Sequence, residues 1–268
     1  MQDEARHNLI LGIAGTIRDR PGYYAEHSFW LVVHDGDDDV LAVALQTPPF
    51  NLAVARPARE GALEALARGI ATEGVELPGV SGAAPEAETF ADSWATLTGG
   101  ERSARMRQRI YQASEIRAVA GVAGTARLAT VADRELLIDW ADAFNEEVRA
   151  DAPHGDTAKG VDARLASDAA GFMLWEDGQP ASIAGWGGAT PNGVRVGPVY
   201  TPPDLRRRGY ASAVTAAASA SQLAAGRRFC FLYTDLANPT SNRIYMDLGY
   251  EPVCDAIDYS FGVARPSP

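Results

Sequence analysis

Apolar and polar residues alternate over several short stretches of the chain, and longer stretches follow a helical period. In the first half, the apolar runs Phe29–His34 and Val40–Gln46 flank the polar turn Asp35–Asp39, which predicts a β-hairpin. The run Phe50–Ala55 predicts a further strand. After it, apolar residues three and four positions apart predict a helix from about Ala58 to Thr72. The first half therefore begins as a hairpin, a strand and a helix.

The same order of elements returns in the second half. The remaining predicted elements are a short strand near Val80, a helix at about Pro85–Leu97 and a strand around Ser103–Ser114, then the strands Phe172–Glu176, Ser182–Trp186 and Val194–Thr201, a helix, a strand, a helix and the strand Glu251–Phe261. Both halves read as hairpin, strand, helix, strand, helix, strand. This order predicts an α/β fold of two similar units, joined by the glycine- and alanine-containing stretch Ala118–Thr125.

Two more helices are predicted before the second hairpin. Over Ala132–Ala150, the residues Leu136, Leu137, Trp140 and Phe144 recur on one face. A second helix is predicted at Val161–Ala169, and the polar loop Asp151–Gly160 separates the two.

The strand at Val194–Thr201 leads into a turn with unusual chemistry. Arg206, Arg207 and Arg208 precede Gly209, and Ala211 begins an uncharged helix of small residues. The first N–H groups of a helix have no partner within it and carry partial positive charge, so this turn suits a pyrophosphate. A Walker A loop would need a lysine after its second glycine. A dinucleotide fingerprint would need three glycines after the first strand of its unit. Neither pattern is present. An arginine-flanked helix start without a ligand is the alternative, but arginine there opposes the helix dipole.

A second motif follows this helix at Phe229–Tyr250. It consists of an apolar strand, a loop at Asp235–Pro239 and a helix closed by Gly249. Asn238 precedes a proline, which is also ordinary turn chemistry, and Tyr245 lies on an apolar helix face, where it would also serve as a core residue.

Together, Arg206-x-x-Gly209-x-Ala211 after a strand and the downstream strand–loop–helix resemble the GNAT superfamily of N-acetyltransferases. The resemblance implies two GNAT-like units, each a mixed, mostly antiparallel sheet flanked by helices, and acetyl-CoA as co-substrate without a metal. It implies Tyr245 as the acid that protonates the leaving thiolate and the N–H of Val199 as the oxyanion donor, with Pro198 suited to a bulge just before it. The implied cofactor-binding residues are Val199, Tyr200, Thr201, Arg206, Arg207, Arg208, Gly209, Tyr210, Ala211, Ser212, Asn238, Asn242 and Tyr245.

Only the second half keeps this chemistry. At the matching turn of the first half, Gly61 is preceded by Ala58 in place of arginine and by Glu60, whose carboxylate would repel a pyrophosphate. The last helix of that half lacks counterparts of Tyr245 and Asn238. We therefore expect a degenerate GNAT-like domain at residues 1–122, a catalytic domain at residues 123–268 and one cofactor per chain.

In GNAT enzymes, the two helices before the second hairpin and their loop form the acceptor side of the cleft. The resemblance therefore makes Glu146, Glu147, Asp151, His154 and Asp156 the acceptor-side candidates, although each is also ordinary at a solvated helix end or loop. Glu146, Glu147 or His154 would act as the base, and the spacing does not select among them. With Trp186 as a possible aromatic face, these acidic residues favour a cationic or free primary amine as the acceptor.

Composition narrows the partners further. The chain has 268 residues and a formal net charge of -11, which argues against nucleic acid as the main partner. Its only cysteines, Cys230 and Cys254, lie in strand-like segments and are expected to be buried free thiols in a cytoplasmic protein. The polar start of the chain shows no signal peptide, and Gly209–Gly226 is too weakly apolar to span a membrane. A monomer or homodimer is expected.

These features predict an acetyl-CoA-dependent N-acetyltransferase that acts on a primary amine of a small molecule or peptide by direct attack in a ternary complex. A CoA-binding sensor or regulatory module without turnover is the alternative from a different class. A structural or partner-binding protein would require both motifs to be coincidental.

Overall fold

A computed structural model describes residues 2–24, 28–149 and 155–262. The helices are α1 Gln2–Arg6, α2 Asn8–Asp19, α3 Ala62–Thr72, α4 Ala84–Thr98, α5 Arg134–Arg149, α6 Thr157–Leu165, α7 Tyr210–Ala224 and α8 Pro239–Asp247. The strands are β1 Phe29–His34, β2 Val40–Gln46, β3 Leu52–Val54, β4 Gly79–Ala83, β5 Arg102–Ala113, β6 Thr125–Leu128, β7 Gly171–Glu176, β8 Pro180–Gly187, β9 Gly193–Tyr200, β10 Phe229–Asp235 and β11 Glu251–Phe261.

The chain divides into two compact units. Within the described ranges, the first unit takes in residues 2–110, 235–237 and 253–262, and the second takes in residues 111–234 and 238–252. The predicted division at residue 122 differs from this one, because it assigns the end of the chain to the second domain. In the structure, β11 pairs antiparallel with β4, with Ala256 opposite Ala83, so most of the last strand completes the first unit.

The first unit contains a mixed sheet with the order β1-β2-β3-β4-β11-β5. Neighbouring strands β1, β2 and β3 are antiparallel, and β3 and β4 form a parallel pair. The helices α3 and α4 pack against the sheet through buried side chains such as Leu63, Leu66, Phe90 and Trp94. Burial of these apolar side chains is the main force that holds the unit together.

The second unit contains the order β10-β9-β8-β7-β6, with one parallel pair, β9 and β10. Its sheet is covered on both faces. The face toward α7 and α8 packs Ala184, Val196 and Val214 into one core, and the face toward α5 and α6 packs Leu137, Phe172 and Tyr200 into another. Because side chains alternate along a strand, β8 and β9 contribute to both cores.

The predicted hairpins and the final strand are confirmed, including the bounds of β1, β2 and β11. Three predicted elements need correction. Strand β3 covers only Leu52–Val54, helix α3 begins at Ala62, and helix α6 lies at Thr157–Leu165, four residues before its predicted position. The prediction also missed α1, α2 and β6. Across the described residues, no helix is long and apolar enough to cross a membrane.

The two cysteines are free, as predicted, but they differ in burial. Cys230 is buried in the core beneath α7, whereas Cys254 on β11 is half-buried. Burial raises the pKa of the Cys230 thiol to about 12, so the thiolate is disfavoured there.

Candidate functional site

The turn between β9 and α7 has the backbone shape of an anion site. Arg207 has φ 63° and Gly209 has φ 85°, so the chain enters the left-handed region twice before α7 begins at Tyr210. A Cβ on Gly209 would lie 2.7 Å from Cγ2 of Val122, so both the torsion and the close approach require glycine there.

The N-terminus of α7 presents backbone donors at this turn. Gly209 is the residue that caps the helix, and no side chain accepts a hydrogen bond at the cap. The N–H of Ala213 donates to Gly209 O at 3.0 Å, and this is the hydrogen bond that closes the first turn of the helix. The N–H groups of Tyr210, Ala211 and Ser212 precede it and point out of the helix end, where an anion is stabilised.

The side chain of Arg206 is bound to the protein itself. Its Nε donates to Thr201 O at 2.8 Å, and its Nη2 lies 2.7 and 2.8 Å from the two carboxylate oxygens of Glu147. The guanidinium also lies over the Tyr200 ring, 5.8 Å from its centre. Arg206, predicted as a cofactor ligand, and Glu147, predicted on the acceptor side, thus form an ion pair that ties the turn to α5.

The other predicted side chains of the turn have different surroundings. Arg208 donates to Asp204 O at 3.3 Å, and the Tyr210 hydroxyl donates to Asp177 at 2.5 Å in the turn between β7 and β8. The bond to Asp177 raises the pKa of Tyr210. Arg207 is exposed and has no hydrogen bond or ion pair to any residue that the structure describes. Of the three arginines, Arg207 is the one whose charge is not shared with a protein oxygen.

Strands β9 and β10 pair over only three residues. Their parallel register runs from Gly193 opposite Phe229 to Arg195 opposite Phe231 and then stops. On its other side, β9 has a bulge against β8 at Gly197 and Pro198, as predicted, after which Val199 lies opposite Ala184. The end of β9 is thus unpaired toward β10, and the chain continues from it through the turn into α7.

Asn238 and Asn242 begin α8. The side chain of Asn238 caps the helix by accepting from Ser241 N at 3.0 Å, and Asn242 Nδ2 donates to Asn238 O at 2.7 Å. The Tyr111 hydroxyl donates to Asn242 Oδ1 at 2.9 Å. These bonds account for both asparagines as structural residues, and their predicted cofactor contacts remain a proposal.

Tyr245 lies on the inner face of α8. Its ring is half-buried and meets the Tyr250 ring edge to face, with centres 6.1 Å apart. The hydroxyl has no hydrogen-bond partner among the described residues, and burial raises the pKa of Tyr245 to about 12. The hydroxyl therefore keeps its proton throughout the neutral range.

Three of the acceptor-side candidates, Glu146, Glu147 and Asp156, lie within the described residues. Glu146 is exposed, and Asp156 caps α6 by accepting from Lys159 N at 2.9 Å. Asp151 and His154 lie outside the described residues. Trp186 is only 7% exposed and packs in the core toward α7, so its ring offers no open face to a cation. The idea of an aromatic cation site at Trp186 is therefore corrected.

Sequence reasoning missed two basic residues of this unit. Arg164 on α6 donates through Nη1 to Gly197 O at 3.0 Å, which holds the helix to the bulge of β9. Arg195 on β9 lies over the Tyr233 ring, 5.5 Å from its centre. The glycines Gly185 and Gly187 in an otherwise apolar strand were the signal for a close approach, but they do not name the partner.

The first unit repeats the turn without its chemistry. Gly61 caps α3 with φ 83°, close to the 85° of Gly209. Arg59 of that turn lies 3.5 Å from Asp35, and Ala83 caps α4 without a side-chain bond. The similar backbone conformation of the two turns supports an internal duplication. The carboxylate of Glu60 disfavours an anion at the first of them. Within the described ranges, no three His, Cys, Asp or Glu side chains are grouped to hold a metal.

Comparison with known proteins agrees with this geometry. Residues 174–257, which include β8, β9, α7, β10 and α8, match the family model of FR47-like proteins. No curated protein matches the chain in sequence.

Several solved structures resemble the whole chain. A GCN5-related N-acetyltransferase from Kribbella flavida is 20% identical with a TM-score of 0.60, covering 98% of this chain and 96% of its own. One from Sphaerobacter thermophilus is 15% identical with a TM-score of 0.63, covering 100% and 95%. A tandem GNAT protein from the clavulanic acid biosynthesis pathway is 15% identical with a TM-score of 0.59, covering 96% and 89%. The chain has the GNAT fold, in two units.

Proposed function

We propose that the protein is an acetyl-CoA-dependent N-acetyltransferase that acetylates a primary amine by direct attack in a ternary complex. The observation that carries this proposal is the left-handed Gly209, which begins α7 at the point where β9 has separated from β10. A helix N-terminus and an unpaired strand edge at one place suit a ligand with a phosphate end and an amide-bearing arm.

The backbone N–H groups of Tyr210, Ala211 and Ser212 would hold the pyrophosphate, with the exposed Arg207 as the cation beside it. The unpaired end of β9, from Val199 to Thr201, would pair with the arm. Acetyl-CoA supplies an activated thioester carbonyl. Arg206 would contribute indirectly, by holding the turn in place, because its guanidinium is bound to Thr201 O and to the Glu147 carboxylate.

In the reaction a C–N bond forms, the C–S bond breaks, the amine nitrogen loses a proton and the thiolate gains one. The N–H of Val199 is our proposed donor to the carbonyl oxygen as it gains charge. Tyr245 is our proposed donor to the sulfur. Its pKa of about 12 lies above the ~8.5 of a thiol, a gap worth about 5 kcal/mol.

This gap changes the role of the tyrosine. Complete proton transfer from Tyr245 to the sulfur is uphill, so the hydroxyl serves best as a hydrogen-bond donor that stabilises the departing thiolate. The proton that the amine loses is the one that finally protonates the thiolate. For the base, Glu146 and His154 remain candidates, directly or through water, whereas Glu147 is engaged by Arg206.

Two measurements test the proposal. Calorimetry measures acetyl-CoA binding, and a thiol-release assay measures turnover with a panel of primary amines. Binding together with amine-dependent thiol release supports the enzyme. Binding without release from any amine would favour the sensor module instead, and the absence of binding would contradict both.

A further inference from the structure

Strand β1 lies at the edge of the sheet and lacks the usual protection of an edge strand. In the strand order of the described residues it comes last on its side, with β2 as its partner. Edge strands usually carry lysine, proline or an inward-pointing charge, because their unpaired N–H and C=O groups can pair with another strand. None of the six residues of β1 is charged or proline, and five are apolar. The edge is therefore suited to an added strand.

An apolar cleft lies beside β1 on the face toward α2. Trp30 and Val32 lie on this face, and their side chains are 47% and 43% exposed. The cleft has a volume of about 370 Å³ and is lined by Trp30 together with Ile10, Leu11 and Ala14 of α2. Nearly half of two apolar side chains is thus open to solvent next to the strand edge.

A second apolar cleft lies beside β1 on the opposite face. It has a volume of about 140 Å³ and is lined by Phe29 and Leu31 of β1 and by Gly69 and Ile70 of α3. Successive side chains of a strand point to opposite faces. A strand added beside β1 would therefore place its alternate side chains in the two clefts. Because both clefts are apolar, the added strand should be apolar on both faces.

The β1 strand of a second copy meets this requirement. Two β1 strands that pair antiparallel about a two-fold axis at Leu31 place Trp30 opposite Val32 of the second copy. They also place Phe29 opposite Val33 of the second copy. Aromatic and β-branched side chains directly opposite each other stabilise a strand pair. The strand is therefore complementary to itself in this register.

The acidic turn Asp35–Asp39 favours the same arrangement. It carries four aspartates and follows β1 directly. In an antiparallel pair, the turns of the two copies lie at opposite ends, whereas a parallel pair would bring these like charges together. An axis at Val32, the next position that keeps the faces matched, would place Phe29 opposite Asp35 and desolvate a carboxylate. The charges thus favour the antiparallel pair centred on Leu31.

The edge is large enough for a reversible dimer. Six residues at ~3.3 Å each extend over roughly 20 Å, and a sheet between two helices is roughly 30 Å deep. Each copy would bury about 600 Å², and the total of about 1,200 Å² is at the low end for a specific interface. We propose that the protein forms a homodimer in which β1 pairs with β1 of a second copy. This inference goes beyond the proposed function and does not depend on it.

Sedimentation velocity over a range of protein concentrations tests the proposal. We expect the wild-type chain to shift from monomer to dimer as its concentration rises. Val32→Glu and Trp30→Glu each place a carboxylate at the cleft toward α2, so each should raise the dimer dissociation constant by about tenfold or more. Leu128→Glu is the matched control, because Leu128 is 59% exposed on β6, the edge strand of the second unit. It should leave the dissociation constant unchanged.

Hydrogen exchange locates the interface without a variant. The backbone amides of β1 should exchange more slowly when the dimer dominates than when the monomer dominates, whereas those of β6 should not change. Circular dichroism checks that the variants fold. A wild-type chain that stays monomeric would overturn the proposal and leave the two clefts to a strand of another protein. A dimer that persists in both β1 variants, or one that Leu128→Glu dissociates, would place the interface elsewhere and overturn it as well.

Discussion

Arg206 and Glu147 form an ion pair in which one guanidinium nitrogen lies 2.7 and 2.8 Å from both carboxylate oxygens. The pair joins the turn before α7, our proposed phosphate site, to the last turns of α5. It also changes the expected role of both residues, since Arg206 holds the turn in shape and Glu147 is not an available base.

Glu147→Gln tests this relationship. We expect acetyl-CoA affinity to be kept or to rise two- to threefold, because a negative charge leaves the neighbourhood of the anion site. The pair is about 40% exposed on both sides, 41% and 43%, so its loss should cost about 1 kcal/mol of unfolding free energy or less. Calorimetry and thermal unfolding give both values. A fall in kcat of about a hundredfold or more would identify Glu147 as the base instead, and Asp142→Asn, an equal charge change at an exposed site on α5, is the matched control.

Gly209→Val should weaken acetyl-CoA binding tenfold or more, through strain of ~1 to 3 kcal/mol at a positive φ and a clash with Val122. Gly226→Val is the control, because Gly226 has φ 95° at the other end of α7 and open space around its Cβ position. Calorimetry on both variants separates a local effect on the site from general strain. Equal affinities in wild type and Gly209→Val would remove the turn from the binding site.

Tyr245→Phe should lower kcat by about a hundredfold, as for loss of one hydrogen-bond donor to a charge that develops during the reaction, and leave acetyl-CoA affinity nearly unchanged because the ring remains. Steady-state kinetics and calorimetry measure the two. Tyr250→Phe is the control: its hydroxyl lies 2.7 Å from Ser219 Oγ in the core, so we expect lost stability with little change in kcat. Full activity of Tyr245→Phe would mean that the departing thiolate does not depend on a hydrogen bond from Tyr245.

Local sequence patterns were sufficient to predict the bounds of elements that are determined by their own residues. The apolar run Phe29–His34 and the predicted last strand Glu251–Phe261 have the bounds that the sequence predicts. Strand β11 nevertheless belongs mostly to the first unit, because its partner β4 lies far away in the sequence. Alternation shows that a strand has two faces but does not say what covers each.

The site shows the same limit. The turn at Gly209 and the cap at Asn238 follow from residues close in sequence, and both adopt the predicted positions. The partner of Arg206 is 59 residues away, and that of Arg164 is 33 residues away. Pairings of this kind are decided by packing of α5 and α6 on the sheet, so the partners of Arg206 and Arg164 could not be assigned from sequence spacing.

Burial of Tyr245 and Cys230 predicts alkaline instability. The folded pKa values of both are raised to about 12, from ordinary values of 10.0 and 9.0. Their protonated forms stabilise the fold fully below the unfolded pKa values, and this stabilisation is lost as the pH rises toward 12. Urea unfolding at pH 8 and pH 11 should show a lower unfolding free energy at pH 11. Tyr245→Phe and Cys230→Ala should each reduce the difference, and an unchanged difference would contradict the burial of these groups.

The chain should bind one acetyl-CoA, at the second unit. The turn before α3 has the same left-handed glycine as the turn before α7, so the backbone alone would predict two sites. Glu60 places a carboxylate in the first turn, and Arg59 lies 3.5 Å from Asp35. Native mass spectrometry should therefore give one equivalent per chain in wild type and a clearly lower occupancy in Gly209→Val at the same acetyl-CoA concentration. Two equivalents in wild type, or one that survives Gly209→Val and is lost in Gly61→Val, would assign binding to the first unit and contradict its degenerate state.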